Sequence, residues 1–125
     1  ELLIADRFSM STYAYQGYGR GLDLGEIRKL DRFATGGLVP DLYVVLDLPV
    51  EEGRARQRAE GKKEDRLEGS GDTFLRAVRR GYQELVESDM RAQLVDALGT
   101  QYEVHERVRR ILQCEFPEAF AVRKD

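Results

Sequence analysis

The sequence predicts an α/β fold, a parallel sheet flanked by helices, and three observations predict it. Short apolar runs at residues 2–5, 42–46 and 92–95 have the length of strands. Between them apolar residues recur at helical spacing, at Leu24, Ile27 and Leu30 and again at Phe74, Val78, Tyr82 and Leu85. The run at 42–46 lacks the alternation of a sheet with one wet face, as a parallel strand covered on both sides would. Strands alternating with helices imply parallel pairing through right-handed crossovers.

Each element has its own signal. Leu2-Leu3-Ile4-Ala5 reads as the first strand. Ser9 or Ser11 offers an N-cap for a helix that runs through Tyr15 and breaks at Gly17, Gly19 and Gly21. Asp23 caps a second helix, and Gly36-Gly37 ends it. Pro40-Asp41 opens the clearest strand, Leu42-Tyr43-Val44-Val45-Leu46. After Asp47-Leu48-Pro49, residues 50–60 form a helix with a charged outer side, and residues 61–71 read as a mobile, glycine-punctuated loop. A long helix carries the stripe from Phe74 to Leu85, and a short strand follows at 92–95. Residues 97–100 form a loop with Thr100 as an N-cap. Val104, Val108, Ile111 and Leu112 mark the last helix, which Pro117 stops.

Composition bounds the function. The chain has 125 residues, 42% hydrophobic and 34% charged, which suits one globular domain or part of one. No apolar run approaches the roughly 20 residues of a membrane span, and a net charge of -3 disfavours a nucleic-acid-coating protein. The single cysteine, Cys114, excludes an internal disulfide and suits a reducing compartment. Cys114 reads as a structural thiol and His105, the sole histidine, as a helix-boundary residue. The first residue is Glu, and three strands make a poor sheet, because about 150 residues are needed before a domain buries some 70% of its unfolded surface. The chain is therefore expected to be the C-terminal part of a larger α/β domain.

Two constellations carry chemistry, and a third carries a weaker signal. Asp6-Arg7 ends the first strand, where a guanidinium can grip a phosphate bidentately and a neighbouring carboxylate can orient it. By itself this pair is equally an ordinary surface ion pair. Ser11, Thr12, Tyr15 and Gln16 follow at once; Thr12 with Gln16, or Ser11 with Tyr15, share a helix face and can point into one pocket. Gln supplies a donor and an acceptor suited to a pyrimidine edge, and Tyr a flat wall with a hydroxyl. Tyr13 and Tyr18 read as core. The basic stretch runs through Arg54, Arg56, Arg58, Lys62, Lys63 and Arg66; Arg54 and Arg58 share a face, and a solvated charged surface is the ordinary reading. Asp96-Ala97-Leu98-Gly99-Thr100 could meet a ligand through its backbone or simply connect a strand to a helix.

Taken together, Asp6-Arg7-Phe8, Ser11-Thr12-Tyr13-Ala14-Tyr15-Gln16-Gly17 and Gly19-Arg20-Gly21-Leu22-Asp23 resemble the bacterial thymidylate kinase family. Pro40-Asp41-Leu42, Leu46-Asp47, the three arginines from Arg54 to Arg58, Asp65-Arg66-Leu67-Glu68, Phe74, Tyr82 and Val95-Asp96-Ala97 extend the resemblance to about Cys114. It implies a P-loop NTPase, nucleoside monophosphate kinase-like sheet whose N-terminal strands are missing, with a lid at about residues 54–71. The implied activity is transfer of the ATP γ-phosphate to dTMP. Arg7, Arg54, Arg58 and Arg66 would be catalytic. Asp6, Arg7, Ser11, Thr12, Tyr15, Gln16, Asp65 and Glu68 would bind the nucleotide acceptor, and Arg54, Arg58, Asp96 and Ala97 the ATP. The resemblance further implies Mg²⁺ with ATP, no metal ligand in this chain, a cytoplasmic homodimer, and neither nucleic acid nor membrane as partner. One departure is large: no G-x-x-x-x-G-K-[ST] phosphate loop occurs, and Gly17-Tyr18-Gly19-Arg20-Gly21 lacks its Lys-Ser/Thr. The chain alone is therefore expected to be inactive. The alternatives are another nucleoside monophosphate kinase or a non-catalytic interaction module of the same fold.

Overall fold

The computed structural model describes residues 1–61 and 71–121. Two parallel strands, β1 (Tyr43–Asp47) and β2 (Ala92–Asp96), pair in register from Tyr43 opposite Ala92 to Asp47 opposite Asp96. Both strands therefore finish at the same end of the sheet, and Ala97 N–H extends the pairing by donating to Asp47 O at 2.8 Å. The helices are α1 (Ser9–Thr12), continued by a π-helical stretch over Tyr13–Gly19, then α2 (Leu24–Thr35), α3 (Val50–Ala59), α4 (Asp72–Ser88) and α5 (Gln101–Glu115).

Capping explains most of the boundaries. The Asp23 carboxylate accepts from Glu26 N–H at the start of α2, and Gly36 adopts the left-handed conformation at its end, φ 63°. Thr100 and Glu103 form a reciprocal capping box at the head of α5. The N-cap of α1 differs from expectation. It is Phe8, with no side-chain capping bond, because the serine hydroxyls serve tertiary contacts instead. Ser9 Oγ donates to Asp31 Oδ1 at 2.9 Å, and Tyr13 OH donates to Asp31 Oδ2 at 2.7 Å, so one carboxylate on α2 holds both α1 and the start of the π-helical stretch. Burial, reinforced by the Asp31 carboxylate, pushes the Tyr13 phenol up to about 12.

The helix ends at Gly19, inside the glycine cluster where the break was expected, and it gets there as a π-helix. Gly17 lies inside the π-helical stretch, whose wide turns close by bonds such as Arg20 N–H to Tyr15 O at 3.0 Å. Glycine here serves close approach. A Cβ on Gly17 would meet Leu24 Cδ2 at 2.5 Å, and one on Gly19 would meet Phe74 Cε2 at 2.6 Å. The core forms between this stretch, α4 and the sheet, around Met10, Ala14, Val78, Leu85 and Ala92, with Tyr15, Tyr18, Phe74 and Tyr82 packed against it.

Three expectations are corrected. Residues 2–5 form no strand: β1 and β2 are the strands among the described residues, and Leu3 and Ile4 are 89% and 78% exposed. An apolar run becomes a strand only where a neighbouring edge takes its backbone bonds, and none does so here. The second concerns β1, which is half-buried instead of covered on both faces, with Leu46 55% exposed. Finally, Cys114 is exposed on α5 and is no core thiol. The loop expected at 61–71 falls largely on residues 62–70, outside the described residues.

Candidate functional site

A cleft of about 220 Å³ opens at the C-terminal end of β1, between the π-helical stretch, α3 and α4. Tyr15, Asp47, Arg54, Arg79 and Tyr82 line it. The chain reaches it by an unusual turn, since Arg7 holds a left-handed backbone at φ 67°. A non-glycine residue pays steric strain there unless its surroundings hold it. The guanidinium of Arg7 lies over the Tyr15 ring, 5.3 Å from its centroid. Tyr15 in turn meets Phe74 and Tyr82 edge-on, with centroids 6.0 and 6.4 Å away. Ser11 Oγ and Tyr82 OH share a hydrogen bond of 2.6 Å. Burial raises the Tyr82 phenol, while Ser11 and the Arg7 charge oppose that rise.

The predicted residues thus divide. Tyr15 and Arg54 line the cleft, Arg7 and Ser11 reach its wall through Tyr15 and Tyr82, and Arg54, only 12% exposed, reaches Asp72 Oδ1 at 3.4 Å. Gln16 is half-buried, while Asp6, Thr12 and Arg58 are exposed. Hence Ser11 and Tyr15 share the face toward α4. Asp96 and Ala97 sit on the neighbouring strand end, Asp96 exposed with its carboxylate accepting from Leu98 N–H at 2.8 Å, and Ala97 buried. Asp65, Arg66 and Glu68 lie outside the described residues.

Sequence reasoning missed three features of this end of the sheet. Asp47 and Arg79 form a bidentate ion pair, Nε to Oδ1 at 2.8 Å and Nη2 to Oδ2 at 2.9 Å, with Gln83 Nε2 at 3.4 Å. The hydrogen bonds from Arg79 hold the Asp47 carboxyl below its ordinary range although partial burial opposes this. Tyr82, read as core, presents its hydroxyl to Ser11. Arg56, passed over for its neighbours, reaches the segment after β2, donating to Ala97 O and Gly99 O at 3.1 and 3.3 Å. The acid at the end of the strand, Asp47, was the one visible signal among these. Among the described residues no group of three His, Cys, Asp or Glu could hold a metal ion. No helix among them is long and apolar enough to cross a membrane.

Parallel strands that end together beside arginines and tyrosines define an α/β protein with its cleft at the C-terminal edge of the sheet, the edge where open α/β sheets bind ligands. Comparison with known proteins makes this specific. The family model described as thymidylate kinase matches residues 1–108. The chain is 44% identical over 125 residues to a thymidylate kinase of Synechococcus sp. (strain JA-2-3B'a(2-13)), covering 99% of this chain and 59% of that protein. It is 51% identical over 89 residues to one from Desulforudis audaxviator, covering 71% and 39%, and 42% identical over 117 residues to one from Trichodesmium erythraeum, covering 94% and 52%. The chain belongs to the thymidylate kinase family, and its fold class is that of the P-loop NTPases. It spans about half the length of the curated relatives it matches.

Proposed function

We propose that this chain is the C-terminal part of a single nucleotide-kinase domain, with a lid at about residues 54–71, in a dTMP kinase that transfers the γ-phosphate of ATP to dTMP and yields dTDP and ADP. The observation that carries this reading is a cleft at the end of β1 lined by Tyr15, Arg54 and Tyr82, with Arg7 stacked on Tyr15 and Ser11 bonded to Tyr82. A phosphate oxygen of dTMP attacks the γ-phosphorus while the bond to the ADP oxygen breaks. Catalysis of such a transfer is mainly positioning and charge stabilisation. Arg7, braced on the Tyr15 ring, is suited to the dTMP phosphate, with Asp6 orienting it. Ser11, Thr12, Tyr15 and Gln16 are assigned to thymidine, and Tyr15, wedged between Phe74 and Tyr82, is a wall that could exclude a ribose 2′-hydroxyl by shape. Arg54, Arg58 and Arg66 are assigned to charge on the transferring group, Asp65 and Glu68 to the nucleotide, and Asp96 and Ala97 to the adenine side. Mg²⁺ bound with ATP would neutralise charge on the phosphates, beside the charge that Arg54 and Arg58 would supply. The family resemblance supports a cytoplasmic enzyme, and a net charge of -3 disfavours nucleic acid as its partner. Leu30 and Phe33, 71% and 90% exposed on α2, support a homodimer packed through helices.

An ATP-coupled assay on the full-length protein, comparing dTMP with UMP and AMP, tests the reading. Preferential turnover of dTMP is expected. Preference for another monophosphate makes it a different nucleoside monophosphate kinase, and no nucleotide binding makes it an interaction module. Within the same assay Tyr15→Phe should stay near the wild type. Tyr15→Ala should raise the KM for dTMP by about tenfold or more, the scale of a lost aromatic wall, and relax discrimination against UMP. Equal discrimination in Tyr15→Ala and wild type would remove Tyr15 from that role.

A further inference from the structure

The segment after β2 is held in a way that a strand-to-helix connector does not require. The carbonyl that closes β2 and the three that follow are taken alternately by two guanidiniums. Arg107 on α5 donates Nη1 to Asp96 O at 2.7 Å and to Leu98 O at 2.5 Å. Arg56 on α3 donates Nη2 to Ala97 O and Gly99 O. The amides are tied as well: Ala97 N–H to Asp47 O, Leu98 N–H to Asp96 Oδ1, and Thr100 N–H to Glu103 Oε2 at 2.6 Å. Gly99 stands at φ 101°, where an L side chain is strained, and a Cβ there would collide with Glu103 Oε2. Because each peptide is planar, a fixed carbonyl also fixes the direction of the next N–H. Arg56 is itself steadied by Glu52 Oε1 at 3.4 Å, one turn earlier on α3.

Arg54 and Arg56 belong to the same helix but leave it in different directions, one into the cleft and the other onto this loop. The helix therefore sets the distance between the loop and the arginine in the cleft. We infer that Arg56 and Arg107 are positioning residues for the ATP side of the site: they hold the backbone of residues 96–99 in the shape that receives the donor base, and Arg56 registers that shape against Arg54. This rests on the function proposed above. Neither arginine needs to touch the reacting atoms, and their effect passes through the loop. A lysine at 56 keeps the charge and could donate to the same two carbonyls, which both bond a single Arg56 nitrogen, but it lacks the planar guanidinium whose fixed geometry aims that nitrogen.

The test uses the full-length protein with Arg56→Met, Arg56→Lys and Arg107→Met. Arg56→Met and Arg107→Met should each raise the KM for ATP about tenfold, the factor expected from losing a charge-assisted contact, and leave the KM for dTMP within about twofold. Arg56→Lys should fall between. Amide exchange at residues 97–100 should quicken in the methionine variants, and calorimetry should show weaker ATP binding. Arg76→Met, which removes a surface pair with Glu51 on no ligand-facing loop, should change none of these. Equal shifts in both KM values, or a lower melting temperature with unchanged ATP affinity, would overturn the inference. If the wild type fails to turn over dTMP, the proposed function falls. The ATP titration of Arg56→Met against wild type still decides the role of Arg56, unchanged affinity overturning it.

Discussion

Gly81→Ala destabilises the fold by about 1–3 kcal/mol, the cost of forcing an extra carbon into a close-packed contact. The sign is not obvious, since alanine in a helix interior is favoured over glycine by roughly 0.5–1 kcal/mol. Space decides it. A Cβ at position 81 on α4 would stand 2.5 Å from Tyr18 Cγ and 2.6 Å from Tyr18 Cβ. A rotamer change can swing a ring away, but it cannot move the Cβ that carries the ring. The π-helical stretch would have to retreat from α4, and the core around Ala14 and Val78 would open. Gly53→Ala is the internal control: its nearest neighbour would be Leu48 Cδ2 at 3.8 Å, an ordinary contact, so helix propensity should win and stability rise. Denaturant unfolding of the two variants reads both effects. Equal stabilisation by both would mean that the two helices are not so close.

Arg79→Met costs about 1.5–3 kcal/mol near neutral pH, the range for hydrogen bonds to charged groups. Asp47 is 17% exposed, so its stranded carboxylate would regain little water, and Gln83 at 3.4 Å is a poor substitute. The pH dependence identifies the cause. Because the folded state holds the Asp47 carboxyl below its ordinary value of 3.8, its contribution is complete above that value and disappears as pH falls through the lower, folded one. The stability gap between wild type and Arg79→Met should therefore be flat from about pH 8 to pH 5 and narrow below about pH 4. A gap that persists undiminished into strong acid would show that Arg79 acts through packing of its stem and not through its charge.

What the sequence made legible follows from the range of each interaction. Asp23 with Glu26, Gly36, and Thr100 with Glu103 act within three or four positions, and each boundary stood where its capping chemistry placed it. The stripe from Phe74 to Leu85 was readable because one face of α4 meets one core. Ser9 and Ser11 were misread because a serine near a helix start has two possible partners, and nothing local says that Asp31 or Tyr82 will claim it. Residues 2–5 failed as a strand for a related reason: apolar character is local, but backbone pairing is not. Around the cleft, the presence of Tyr15 and Arg54, with Arg7 and Ser11 beside them, was legible from neighbouring residues and from family resemblance. Asp47 and Arg79, 32 positions apart, were not, since their pairing depends on how α4 crosses the strand end. The choice among Arg54, Arg56 and Arg58 needed the same knowledge. Helical spacing groups Arg54 with Arg58, but only the packed helix shows which neighbour each one faces.

The carbonyl clamp on residues 96–99 separates where a shape is expressed from where it is encoded. Arg56 and Arg107 bind main-chain oxygens, which every residue supplies, so the side chain of Leu98 is largely at liberty to drift. The loop's conformation is instead written 41 residues upstream of Ala97 in Arg56, and on the following helix in Arg107. A mutational scan confined to the loop would find it tolerant at Leu98 and intolerant at Gly99, and would leave its principal determinants unseen.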